Sequence, residues 1–109
     1  MKNVLWCMVS MLLVCSVGNS AFAQKAAAKS SGEAKFNEHC ALCHPAGGNI
    51  VNPKKTLLKK DREANNIKNE SDIIKSMRNP GPGMTAFDEK TIPAKDAQEI
   101  AKYILKTFK

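Results

Sequence analysis

Cys40-Ala41-Leu42-Cys43-His44 carries the strongest chemical signal in the chain. Two cysteines three positions apart, with a histidine directly after the second, form the C-x-x-C-H pattern of covalent haem attachment. The spacing has a physical reason. Thiols one helical turn apart can both reach the vinyl groups along one porphyrin edge, and the next residue then projects its imidazole at the iron. Cys40 and Cys43 are therefore expected to hold one haem c through two thioethers, with His44 as an axial ligand. Other uses of the pair fit less well. A redox-active dithiol of the thioredoxin kind sits in a βαβ setting, and no such pattern surrounds this one. A zinc site needs further ligands, and the only other histidine is His39. A disulfide between Cys40 and Cys43 would close a very small, strained loop.

An iron with one protein ligand keeps an open position for small molecules or peroxide, whereas a filled coordination shell favours electron transfer. His39 lies on the same stretch of chain as His44 and cannot easily reach the opposite face of a haem; it reads as a surface histidine. Beyond the motif stand Met77 and Met84. Met77 falls in an apolar helical stripe and reads as core. Met84 lies in a loop of prolines and glycines, 40 residues after His44, where irregular backbone can aim a side chain at the metal. Met84 is the expected second axial ligand, and a thioether there raises the reduction potential.

The elements that must position these groups are helical. From Gly32 the spacing of Phe36, Cys40 and Cys43 puts them on one helix face, and Pro45 ends that helix. Residues 46–53 read as loop. A short helix is expected from Thr56 to about Ala64, broken by Asn65-Asn66. Ser71 is the expected N-cap of a third helix, with Asp72 in its first turn where the helix dipole favours it. Ile73, Ile74 and Met77 line that helix's inner face. Asn79 to Thr85 (NPGPGMT) holds two prolines and two glycines and cannot be regular helix. The last helix starts near Ala94, and Ala97, Ile100, Ala101, Ile104, Leu105 and Phe108 form its apolar stripe. No segment alternates like a strand. The expected fold class is all-α, about four short helices wrapped around one covalently bound haem.

The first 23 residues have a different purpose. A basic start, an almost wholly apolar run from Val4 to Val17 and a terminal Ala21-Phe22-Ala23 read as a secretory signal peptide, cut before Gln24. The run has 14 residues, short of the roughly 20 that a membrane span needs. A lipid anchor at Cys15 fits less well than simple cleavage, because Val14 before it is not small. Residues 24–31 read as a flexible leader and residues 32–109 as the haem domain. Export agrees with the motif, since haem of this kind is attached outside the cytoplasm. Without Lys2 the formal charge falls from +7 to +6, and two haem propionates would lower it by two more. A basic surface suits acidic partner proteins and at most a peripheral membrane contact. Nucleic acid is not expected, because no reading motif is present. The 86 residues after the signal bury only a modest core, and a covalent cofactor in the middle would complete it.

With these residues in hand, the chain resembles class I cytochrome c, and within it the small monohaem c6 (c553) type, from about Gly32 to Phe108. Gly32 and Phe36 match the packing pair of the family's first helix, and Ile100 and Tyr103 match their partners on the last. Gly47-Gly48-Asn49 and Lys55-Thr56-Leu57 match the loop after the haem histidine. Met84-Thr85-Ala86-Phe87 resembles the distal M-P-A-F. The resemblance implies that Lys55 approaches a haem propionate and that Asn49 lies beside the same edge. Two positions depart from the family. Thr85 replaces the proline that often follows the ligand methionine, and Ser76 stands where many photosynthetic members carry a glutamine thought to raise the potential.

The resemblance implies a monomeric one-electron carrier in the periplasm or an equivalent extracytoplasmic compartment, with no enzymatic activity of its own. Lys54, Lys55, Lys59 and Lys60 would steer it to acidic redox partners. A haem sensor or peroxidase-like enzyme with a displaceable Met84 is the alternative, and a domain docked on a larger oxidase or reductase is a third.

Overall fold

The computed structural model describes residues 30–109. The expected signal peptide and residues 24–29 of the expected leader lie outside the described residues. Four α-helices account for the regular structure: α1 (Ser31–His39), α2 (Lys59–Ala64), α3 (Glu70–Arg78) and α4 (Ala94–Thr107), with a 3-10 turn at Pro45–Gly47. No strand occurs among the described residues. The architecture is all-α, as expected.

The helix ends follow from local chemistry. Ser30 caps α1, its hydroxyl accepting from the Glu33 N–H at 3.2 Å. The cap lies inside the segment assigned to the leader, and helix begins at Ser31. For α3 the cap is Asn69 rather than Ser71. Asn69 accepts from the Asp72 N–H at 3.0 Å while the Asp72 carboxylate accepts from the Asn69 N–H at 3.2 Å. This reciprocal pairing satisfies two donors that a cap at Ser71 would leave open. α2 starts at Lys59, three residues later than expected. Thr56 accepts from the Leu58 N–H and donates to Asp61, holding residues 56–58 in a turn. Asn66 ends the helical segment with a left-handed φ of 61°, a conformation that asparagine tolerates.

The core sits where α1 crosses α4 and α3 packs beside them. A Cβ at Gly32 would collide with the Glu99 carbonyl, so only glycine lets the two helices approach this closely. One turn on, Phe36 packs against Tyr103 and Phe108, with ring centroids 5.3 and 5.4 Å away. Ile73 and Met77 of α3 meet Ala97, Ile100, Ala101 and Ile104 of α4 in the buried cluster. Ile92, just before α4, and Ile100 are completely buried. The expected stripe is therefore the interior, with Leu105 at its half-buried margin.

Candidate cofactor site

The attachment motif does not continue α1 as regular helix. α1 ends at His39, and Cys40 is its C-cap with φ −119°. The Ala41 N–H reaches back to the Phe36 carbonyl at 3.0 Å, a wider turn than the α-helical one, and the His44 N–H then closes onto Cys40 at 2.9 Å. This irregular turn leaves Cys40 buried, Cys43 exposed and both thiols free. Burial pushes the Cys40 thiol up to about 11, with the neighbouring Cys43 adding to the effect.

His44 is 8% exposed. Its Nδ1 lies 2.7 Å from the Gly48 carbonyl oxygen. A carbonyl only accepts, so Nδ1 carries the proton and Nε2 keeps its lone pair, the arrangement that a metal-ligating histidine needs. Gly48 is held in place by the 3-10 turn. Gly47, with φ 80°, packs against Phe108, and its carbonyl accepts from the Leu57 N–H at 2.7 Å.

Asn49 organises the next loop. Its side chain accepts from the Val51 and Asn52 N–H groups, both at 2.9 Å, and donates to the Lys55 carbonyl at 2.8 Å. The side chain is thus spent on the backbone. Lys55 extends toward the opposite loop, with Nζ beside Gly81.

The opposite wall is the segment between α3 and α4. Gly83 has φ 90°, and a Cβ there would strike Val51, so the loop carrying Met84 touches the loop that follows His44. Met84 itself is 36% exposed. Its N–H makes one long bond to the Gly81 carbonyl, 3.4 Å.

Between these walls lies a cavity of about 320 Å³. All six expected site residues, Cys40, Cys43, His44, Met84, Asn49 and Lys55, line it together. So do Leu57, Ile67, Ile73, Met77, Phe87 and Ile104, which give it an apolar interior. Met77 is 3% exposed and serves the core as well as the cavity wall. His39 departs from the surface reading: its side chain is 18% exposed and its ring stands edge-on to Phe87 at 6.3 Å.

Sequence reasoning missed Arg62. It lines the cavity and is 4% exposed. Its Nε donates to the Leu57 carbonyl at 2.7 Å and an Nη to the Phe108 carbonyl at 3.2 Å. No carboxylate lies within ion-pair distance of it among the described residues. A buried cation without an anion is costly, so Arg62 presents uncompensated positive charge at the cavity wall. The signal available in sequence was a charged residue in a helix beside the Leu57–Leu58 pair, which a solvated helix face would equally explain.

The residues fit a haem: two unpaired thiols, an imidazole with a free Nε2, a soft thioether, an apolar interior and cations for carboxylates. Cys43 and His44 belong to the same turn, while Met84 arrives from the other side of the chain.

Residues 27–104 match the family described as cytochrome c oxidase, cbb3-type, subunit III. Cytochrome c6 of Cyanidium caldarium is 33% identical over 104 residues, covering 95% of this chain and 92% of its own length. Cytochrome c6 of Rippkaea orientalis is 41% identical over 75 residues, 69% of this chain and 67% of its own. Among solved structures, OmcF, outer membrane cytochrome F from Geobacter sulfurreducens, superposes with a TM-score of 0.70 at 50% identity, over 72% of this chain and 99% of that one. Cytochrome c6C from Synechococcus sp. PCC 7002 gives 0.67 at 28% identity, over 72% of this chain and 94% of its own.

Proposed function

The chain belongs to the class I cytochrome c family, as a c6-like monohaem cytochrome with one covalently attached haem c, and from that premise we propose that it is a one-electron carrier whose iron is ligated by His44 and Met84. The observation that carries the reading is that these two side chains, 40 residues apart in sequence, line one cavity. The haem supplies a one-electron iron couple. Every other part of the work falls to the chain.

Cys40 and Cys43 are the thioether positions. His44 donates through Nδ1 to Gly48, which fixes its ring and leaves Nε2 to face the iron. Met84 would supply the second protein ligand and leave no site for peroxide or another substrate, which separates a carrier from an enzyme. Lys55 and Arg62 are the lining cations available to the haem carboxylates. Arg62 is the buried one, and so the one whose charge is least screened by solvent.

Electrons enter and leave by the exposed Cys43 edge of the site. Leu42, Ile50 and Val51 are exposed beside it, and Lys54, Lys55, Lys59 and Lys60 are exposed as well. Such an apolar patch with a cationic margin suits brief encounters with acidic partner proteins. Lys59 spends part of its charge on Glu63, 3.9 Å away. Residues 1–23 serve as the export signal and place the monomeric carrier in the periplasm or an equivalent compartment. No helix among the described residues is long and apolar enough to cross a membrane.

The test is spectroscopic. Methionine-ligated ferric haem has a weak charge-transfer band in the far red, and its ferrous form binds carbon monoxide poorly. The purified holoprotein is expected to show both properties and to titrate as a single one-electron couple. A ferric protein without the band that binds carbon monoxide readily when reduced would replace the carrier with a haem sensor or peroxidase-like enzyme.

A further inference from the structure

The segment that carries Met84 has little structure of its own. Pro80 and Pro82 have no N–H to give, and the long bond from Met84 to Gly81 is the only backbone hydrogen bond inside residues 80–86. A loop of this kind takes its position from its ends. Its entry is the last turn of α3, where the Asn79 N–H donates to the Lys75 carbonyl at 2.8 Å. Its exit is fastened to that same turn. The Phe87 N–H donates to the Met77 carbonyl at 2.9 Å. Beside it the half-buried Arg78 makes three further bonds: one Nη donates to the Phe87 and Asp88 carbonyls, both at 2.9 Å, and the other to the Ile92 carbonyl at 2.8 Å.

This is an unusual use of an arginine. All three acceptors are backbone carbonyls, and no carboxylate side chain lies within ion-pair distance of the guanidinium among the described residues. The planar fork of donors spans carbonyls that no lysine could span at once. Hydrogen bonds from a charged donor are also stronger than neutral ones. One residue at the end of α3 thereby sets the course of the chain from Phe87 to Ile92, where the completely buried Ile92 locks it into the core.

We propose that Arg78 is the positioning residue of the distal ligand, its guanidinium fastening the exit of the Met84 loop to α3 so that the thioether is held in the cavity rather than free to swing out. The inference rests on the reading of Met84 as an axial ligand. Arg78 itself touches carbonyls and not the cofactor, so it acts through the loop.

The experiment compares the ferric holoprotein with Arg78→Gln and Arg78→Lys by the far-red band and by titration with imidazole, which competes with Met84 for iron. Arg78→Gln is expected to weaken the band and to bind imidazole at least about tenfold more tightly, equivalent to about 1.4 kcal/mol. Arg78→Lys, with its charge but without the fork, falls between that variant and the parent. Ile100→Val serves as the control, since it lowers stability from the helix-crossing core and should leave both readouts unchanged. Arg78→Gln with an unaltered band and an imidazole affinity within about twofold of the parent would overturn the proposal. If that variant does not fold, the same readouts on Arg78→Lys decide. A parent protein without the band would remove the Met84 reading itself, a result distinct from failure of the Arg78 variants alone.

Discussion

The ring of Phe108 occupies the space that any side chain at Gly47 would need. The last helix thus ends against the turn that follows His44, and Gly47 holds a φ of 80° that other residues adopt only with strain. Gly47→Ala is expected to cost about 1–3 kcal/mol, measured by denaturant unfolding of the holoprotein. A loss within a few tenths of a kcal/mol would mean that the turn and the ring can part without penalty.

Arg62 joins the start of α2 to the end of α4 through the carbonyls of Leu57 and Phe108. Arg62→Met keeps much of the volume and leaves both acceptors without their donor. The expected destabilisation is about 1–3 kcal/mol. The midpoint potential should fall as well, because a buried cation beside the haem carboxylates favours the more negative ferrous state. Unfolding and redox titrations on one preparation check the two effects separately, and an unchanged potential would leave Arg62 a purely structural tie.

Ser76 lines the cavity, yet its hydroxyl donates to the Asp72 carbonyl at 2.9 Å. Its one proton is used within α3 and none is offered to the cofactor. The potential is therefore expected below that of photosynthetic relatives bearing glutamine here, and Ser76→Gln should raise it. A photosynthetic-type value in the unaltered protein would refute the expectation.

Much of this site is legible in the sequence. The C-x-x-C-H run, Met84 among its prolines and glycines and the α4 stripe are local signals, and each follows from residue type and spacing. The failures came where the answer depends on partners brought from elsewhere. Arg62 and the Phe108 carbonyl are 46 residues apart, and nothing near Arg62 in sequence announces the acceptor. Arg78 reads as an ordinary basic residue at a helix end until Phe87, Asp88 and Ile92 return to it. The cap of α3 was misplaced for a different reason: Ser71 is a good cap by type, but Asn69 and Asp72 satisfy each other. The helix expected through Cys43 ends at His39 because the backbone widens at Ala41, which periodicity does not register.

Asp88 supplies the pH dependence. Its carboxyl is held below the usual aspartate value, chiefly by the Thr91 N–H, with Arg78 a minor contributor. A carboxyl lowered in this way adds stability wherever the unfolded chain's aspartate is ionised, above about pH 4. The contribution is lost as pH falls through the lower folded-state value. Asp88→Asn keeps an acceptor for Thr91 but cannot titrate, so its stability should change less with acidification than the parent's. Urea unfolding on both sides of about pH 4 measures the difference, and parallel curves would contradict it. The group is exposed, so added salt should shrink the effect.

Charge steering is open to a kinetic check. Reversing Lys54 and Lys60 to glutamate should slow association with an acidic redox partner and flatten its dependence on salt. Stopped-flow rates at several ionic strengths give the result, and parallel salt plots for parent and variant would rule those lysines out.

Cys40 lies buried at the end of α1, on the wall of the cavity, where burial pushes its thiol up to about 11. That location bears on how the molecule is made. In the closed chain Cys43 is open to solvent, whereas Cys40 is reached only through the cavity that it lines. Bonding both sulfurs to one porphyrin is therefore easiest while the chain is still open. The polypeptide then folds around a porphyrin it already carries, and the prosthetic group acts as the template of its own container.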